Sequence, residues 1–309
     1  MKKRILSILC CAYLATSFQA EAQFIFRKDK SIRVGVMAGV ANYYGDLAPA
    51  RSFVSTYPQL TRPALGVTAS KAITPKINVR AGLTWARIKG SDAVGNASQD
   101  FSDPKKLRNL SFRNDVKELS VTGEFRPLNR GIQLKNKTVL HPYIFAGLAV
   151  FHHNPKAYYN GGLMQEGWYT LQPLRTEGQQ DGYGRVQMSL PFGWGLRYAY
   201  SKEIEIGFEM GWRKTFTDYL DDVSTRYADK GLLMEQSGRE AWILSDRSIE
   251  LKQDNSTYVG ADGNPYPYYA GISSNGAVRG NSNNKDWYIV TGLQVSYKLQ
   301  YNRNIPKFR

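Results

Sequence analysis

The chain has 309 residues, with 41 Lys plus Arg against 26 Asp plus Glu and a formal net charge of +15. Apolar residues make up 42% and aromatic residues 13%, which excludes bulk disorder. Mean hydropathy is −0.44 and only the N-terminus approaches the ~18 apolar residues of a spanning helix. A polytopic helical membrane protein is excluded, but a membrane β-barrel is not, because alternating strands average to a polar score.

Lys2, Lys3 and Arg4 precede a mostly apolar stretch, Ile5 to Phe18, and Ala20-Glu21-Ala22 offers small residues at the cleavage positions. This predicts a secretory signal peptide over residues 1–22. A retained anchor is the alternative, and the apolar stretch is short for one. Cys10 and Cys11 both lie inside it, and Leu9 is not the small residue of a lipoprotein signal. The mature chain then has no cysteine, which excludes disulfides, thiolate catalysis and Cys-type zinc sites.

Residues 23–309 read as one domain of eight alternating runs. The first sets Ile32, Val34, Val36, Ala38 and Val40 against Arg33, Gly35, Met37 and Gly39. The second sets Leu65, Val67 and Ala69 against Gly66, Thr68 and Ser70. The third sets Ile77, Val79, Ala81, Leu83 and Trp85 against Asn78, Arg80, Gly82 and Thr84. The fourth has Leu119, Val121 and Phe125 opposite Glu118, Ser120, Thr122 and Glu124. In the fifth, Leu140, Ile144, Ala146, Leu148 and Val150 oppose Tyr143, Phe145, Gly147 and Ala149. In the sixth, alternate residues from Val186 to Tyr198 oppose Gln187, Ser189, Gly193, Gly195 and Arg197. The seventh sets Ile204, Ile206, Phe208, Met210 and Trp212 against Glu205, Gly207, Glu209, Gly211 and Arg213. The eighth sets Trp287, Ile289, Leu293, Val295, Tyr297 and Leu299 against Gly292, Gln294, Ser296 and Lys298.

One face of every run is greasy and the other mixes Gly, Ser, Thr and charge. A soluble β-sandwich would bury its greasy faces together; a membrane barrel turns them to lipid. Glycine on the second face suits a tight eight-stranded interior. Trp85, Trp194, Tyr198, Trp212, Trp287 and Tyr297 suit interfacial girdles. The predicted fold is an all-β, eight-stranded antiparallel outer-membrane barrel. Long connections at 45–61, 89–115, 152–184 and 215–286 alternate with short ones at 71–76 and 200–203 and a medium one at 126–138. An even strand count puts both termini, including the tail 300–309, on the short-turn, periplasmic side and the long loops outside. Segment 253–285, rich in Asn, Gly, Ser, Tyr and Pro, reads as the most mobile part.

Chemical constellations are weak. The histidines are His141, His152 and His153. Adjacent strand residues point to opposite faces, so His152-His153 reads as a solvated loop entrance and not a metal pair. No spacing supports a Ser/His/acid hydrolase. Asp218-Tyr219-Leu220-Asp221-Asp222 lacks the spaced pattern of a calcium loop and reads as a solvated turn or helix start. No phosphate-cradling loop or nucleotide signature occurs. A secreted, lipid-facing barrel makes nucleic acid an implausible partner despite the basic charge. The expectation is a non-enzyme with no cofactor, metal or small-molecule substrate. Arg33, Arg80, Arg197 and Arg213 face inward by parity, as do Glu118, Glu124, Glu205 and Glu209. Unpaired charges in a narrow lumen are costly, so these eight are expected to pair across strands as a salt-bridged plug and not as an ion path.

The expected periplasmic segments carry Arg27, Lys28, Lys30, Lys71, Lys76, Arg126, Arg130, Lys135, Lys137, Lys202, Lys298, Arg303, Lys307 and Arg309, fourteen basic residues against Asp29 and Glu203. The four long loops together come to about −4. Attraction to anionic lipid headgroups is one reading of this rim.

Several segments resemble the PorG-like family of outer-membrane barrels associated with the Bacteroidetes type IX secretion and gliding machinery. They are Tyr43-Tyr44-Gly45-Asp46-Leu47, Glu118-Leu119-Ser120 with Gly123-Glu124, and Pro142-Tyr143 with Phe145-Ala146-Gly147. Further segments are Leu171-Gln172-Pro173-Leu174 with Thr176-Glu177-Gly178-Gln179, Phe216 to Ser224, and Pro306-Lys307-Phe308-Arg309. The resemblance implies a non-enzymatic envelope component that joins the outer membrane to a periplasmic ring of PorK and PorN. On that basis the basic rim becomes a docking surface for an acidic periplasmic partner. A surface adhesion or ligand-binding barrel is the alternative, and a barrel lipid hydrolase or protease a third.

Overall fold

The computed structural model describes residues 32–48, 57–94, 104–128, 131–133, 139–251 and 255–299. The predicted signal peptide and the tail 300–309 lie outside the described residues. Eight long strands alternate outward apolar and inward small or polar positions. They are β1 (Ile32–Tyr44), β2 (Arg62–Ala72), β3 (Ile77–Ser91), β4 (Ser111–Phe125), β6 (Val139–His152), β9 (Val186–Ala199), β10 (Ile204–Thr215) and β13 (Trp287–Leu299). Each pairs antiparallel with the next, and β1 pairs with β13 from Ile32↔Leu299 to Tyr44↔Trp287, so the sheet closes on itself. The β6–β9 ladder lapses opposite Pro191, which has no N–H to donate.

Outward positions form one apolar belt. Val36 is 59% exposed, Leu83 57%, Leu148 57% and Leu293 62%, with no protein layer over them. A continuous apolar surface of this extent is stable only against lipid, since soluble monomers expose far smaller patches. The closed eight-stranded antiparallel transmembrane barrel is therefore the fold, and the sandwich alternative falls.

The long connections are not plain loops. The first joins β1 to β2. In the second, β3 and β4 stay paired to Ser91↔Ser111, so this connection is shorter than the expected 89–115, and it carries α1 (Pro104–Arg108). The cause is apolar: inward-facing Ala86, Ile88, Phe112 and Val116 join Ala41, Tyr43, Phe151, Tyr288 and Val290 in one buried cluster. Leu47, Leu110, Leu220 and Val223 of the connections descend into it. The third connection folds as a hairpin of β7 (Lys156–Tyr159) and β8 (Gly167–Thr170). The fourth holds α2 (Lys230–Ser237), α3 (Arg239–Ser245) and a hairpin of β11 (Asn255–Val259) and β12 (Pro265–Tyr269). A two-residue strand, β5 (Ile132–Gln133), extends β6 in the 126–138 turn. The described part of the segment expected to be most mobile is anchored at points, since Tyr266, Ser273 and Arg279 are buried while most of its other residues are exposed or half-buried. Tyr266 packs edge-on against Trp242, and Arg279 reaches Glu177 of the third connection and Asp222 of its own.

Replacing outward Val36 or Leu83 with Arg should cost roughly 2–4 kcal/mol if each sits mid-bilayer. Urea titration in lipid vesicles, read by heat-modifiable gel mobility, checks this; unchanged midpoints in both variants would contradict the strand parity.

Candidate functional site

Period-two alternation delivers one inward side chain every second residue, and in this barrel the charged ones meet. Glu124 of β4 lies 2.7 Å from Arg197 of β9 and 3.2 Å from Arg80 of β3, and it accepts a 3.0 Å bond from Asn78. Arg80 also forks onto Glu209 of β10, with Nη2–Oε1 at 3.1 Å. Tyr143 donates to the same carboxylate at 2.8 Å. Arg213 stands 3.4 Å from Glu118, which accepts the Tyr288 hydroxyl at 2.5 Å. Arg33 stands 3.4 Å from Glu205 near the short-turn end. The structure thus brings all eight predicted lumen charges into pairs, and only Glu205 among them is more than about a tenth exposed. Aromatic faces cover the guanidiniums, Tyr143 at 4.1 Å from Arg197 and Phe145 at 4.9 Å from Arg80. Two glycines make room for these rings. A Cβ at Gly195 would fall 2.4 Å from the Tyr143 ring, and one at Gly211 would fall 2.7 Å from Phe145. Asn78, Tyr143 and Phe145 sat on the inward face by parity; their role as partners had no sequence signal beyond that.

Above the lumen the long connections build a polar cap on the apolar cluster. Here the sequence expectation for 218–222 is corrected. Asp218, Asp221 and Asp222 are buried, not solvated, and Asp222 takes its partners from a distant connection while Asp221 takes Tyr43 of β1. Asp222, held at φ 69°, accepts from Thr176 at 2.5 Å and Tyr183 at 2.7 Å. Glu177 accepts from the Ser224 and Thr225 amides at 2.8 and 3.0 Å and pairs with Arg279 at 2.9 Å. Arg279 in turn donates to the Asp222 carbonyl at 2.5 Å. Asn114 of β4 donates to the Leu220 carbonyl at 2.7 Å, which ties the cap to the wall. Tyr43 stands 2.6 Å from Asp221 and 2.7 Å from Asp286. One hydroxyl proton cannot serve two carboxylates, so the second contact needs a protonated acid. Burial, with repulsion from Asp46 on Asp221 and from Asp221 on Asp286, holds both acids well above the usual carboxylate range.

The histidines separate as strand alternation requires. His152 is exposed, whereas His153 is fully buried, which corrects the solvated reading. His153 stacks on Tyr183, and Tyr183 stacks on Tyr219 at 4.6 Å. Burial pushes His153 down to about 4, so it is neutral at pH 7. Among the described residues no group of three or more His, Cys, Asp or Glu is placed to hold a metal ion.

The predicted rim divides. Lys71, Lys76 and Lys202 are exposed at the short-turn end. Arg126 is corrected: it turns inward, half-buried, and donates to Asn78 at 2.9 Å. Its amide bonds to the Lys76 carbonyl at 2.7 Å, which continues the β4 edge and aims the side chain into the mouth. Arg130, Lys135, Lys137, Arg303, Lys307 and Arg309 lie outside the described residues.

A closed barrel with an apolar belt, an ion-paired lumen and a folded cap defines a membrane-spanning barrel of the outer-membrane class. Its sequence belongs to the family described as "Domain of unknown function (DUF6089)", whose model matches residues 3–234. No curated protein matches the sequence. Among solved structures, it is similar to the N-terminal β-barrel domain of Pseudomonas aeruginosa OprF at 9% identity, covering 87% of this chain and 98% of that one, with a TM-score of 0.34. It is also similar to Neisserial surface protein A at 8% identity, covering 88% and 100%, with a TM-score of 0.38. A major outer membrane protein from Thermus thermophilus matches at 13% identity, covering 87% and 99%, with a TM-score of 0.38.

Glu124→Gln strips both Arg80 and Arg197 of a buried partner and should cost about 3–5 kcal/mol in urea unfolding. Glu205→Gln, at the more open mouth, should cost less. Equal losses would contradict the central place of Glu124.

Burial also raises Asp218 and Asp222, each to about 6. An acid whose pKa is higher folded than unfolded favours the folded cap below the unfolded value near 3.8, and that contribution is lost as pH rises to about 6. Cap stability should therefore fall between about pH 4 and pH 6, and Asp218→Asn should flatten part of the slope. Near-UV circular dichroism of thermal unfolding across that range is the check; rising stability would contradict the burial.

Proposed function

We propose that this protein is a non-enzymatic outer-membrane component of the type IX protein secretion system, anchoring or docking a periplasmic ring complex to the membrane. The observation that carries the reading is the distribution of charge. The inward Arg33, Arg80, Arg197 and Arg213 are paired within the lumen, and the described short turns expose Lys71, Lys76 and Lys202 against the one half-buried acid Glu203, whereas the exposed cations of the capped end, among them Lys105, Arg226, Arg239 and Lys285, are interspersed with exposed Glu166, Asp181 and Glu235. A barrel without an open lumen acts through its two ends. A basic end suits an acidic partner, and long-range attraction raises the rate of encounter. On this reading the termini and short turns face the periplasm, the capped end faces the medium, and the partner is a ring of the PorK and PorN kind that the sequence resemblance implies.

A second reading, surface adhesion or ligand binding, is favoured by the β7–β8 hairpin. Its Tyr158 and Trp168 stand 38% and 46% exposed on a folded projection of the capped end.

The two readings differ in which end matters. Reversing Lys135, Lys137, Arg303 and Lys307 to Glu should leave a heat-modifiable, inserted barrel and abolish co-purification of its periplasmic partner from gentle detergent. Alanine at Tyr158 and Trp168 should leave that complex intact. Retention of the ring at raised salt by the reversed variant would contradict docking through this rim.

A further inference from the structure

Among the described residues, the mouth of the lumen at the short-turn end carries more cations than its carboxylates neutralise. Arg33, Arg126 and Arg197 face Glu124 and Glu205 there. Glu124 is further shared with Arg80. Arg126 feels Arg33 and Arg197 as like charges, and His141, opposite Arg197 on β6, adds a further donor beside them. The surplus shows in the hydrogen bonds. Arg33 is only 8% exposed, yet among the described residues its Nε and Nη1 meet no acceptor, and Arg126 Nε meets none either. At 3.4 Å, Glu205 neutralises part of the Arg33 charge without accepting from it. Two guanidiniums with unused buried donors, at a mouth with one charge too many, are the chemistry that recognises an oxyanion.

We propose that this mouth is a carboxylate socket: Arg33 and Arg126 receive an acidic side chain of a partner segment that enters the barrel from the short-turn end. The socket lies inside the ring of exposed lysines, so Lys71, Lys76 and Lys202 steer the segment while the two arginines hold it. A forked guanidinium gives the directed contact that a lysine point charge does not. For the identity of its ligand the socket rests on the docking reading above, but the two fail separately.

The test uses full-length mature protein in detergent and a fluorescein-labelled hexaglutamate peptide with an amidated C-terminus, followed by anisotropy. Arg126→Gln should weaken binding at least about tenfold, with heat-modifiable mobility retained. The double variant Arg33→Gln with Glu205→Gln keeps the local charge balanced and should weaken binding comparably. Inorganic phosphate should compete weakly. Wild-type affinity in both variants overturns the socket, even if the exposed lysines still govern capture of the ring. Phosphate binding without peptide binding overturns the assignment to an acidic segment. Loss of peptide binding in both variants, with the ring still captured by them, supports the socket and removes the docking reading.

Discussion

Glu124 is the constraint on which the structure turns. A narrow closed barrel has little room to hydrate a lone charge, and Arg33, Arg80, Arg197 and Arg213 each meet a carboxylate on another strand. Glu124 serves two, Arg197 at 2.7 Å and Arg80 at 3.2 Å, and Arg80 continues the chain to Glu209. The path crosses the lumen from β4 to β9 and from β3 to β10, so it joins opposite walls and not only neighbours. Rings at Tyr143 and Phe145 shield these contacts, and Gly195 and Gly211 give up their side chains to admit the rings. Charge, aromatic cover and glycine are therefore one arrangement. A larger residue at either glycine would push a ring into a guanidinium.

Above that layer the barrel changes character. The lumen becomes apolar at Ile88, Phe112, Phe151 and Tyr288, and side chains of the connections descend to finish the cluster. Over this dry layer the cap holds Asp221, Asp222, Glu177 and Arg279 in burial; Asp221 takes its partner from β1, and the other three take partners from another connection. The long connections thus fold as one structure on a hydrophobic seat, with the acidic groups turned inward. What remains for recognition is the outer surface of the cap and the cation-rich mouth at the other end.

The barrel was largely legible because its signal is periodic. Alternation fixed which face of each run meets lipid, and the same parity put Arg33, Arg80, Arg197 and Arg213 in the lumen with Glu118, Glu124, Glu205 and Glu209. The turns 45–61 and 200–203 match the gaps between β1 and β2 and between β9 and β10. The cap was illegible for the converse reason. Asp222 takes its partners from Thr176, Tyr183 and Arg279, which no spacing relates to it. Composition made 218–222 and 253–285 look solvated, yet burial there is decided by contacts between connections. Arg126 failed differently. It lies one residue past β4, where parity no longer applies, and the bond between its amide and Lys76 still carries the side chain inward.

If ion pairs in the lumen and the apolar seat of the cap together close this barrel, its ends are left to act. Single-channel recording of the purified protein in planar lipid bilayers tests this most directly. The account predicts insertion without unitary current at either polarity. Stable, reproducible conductance steps from the unmodified protein would contradict it.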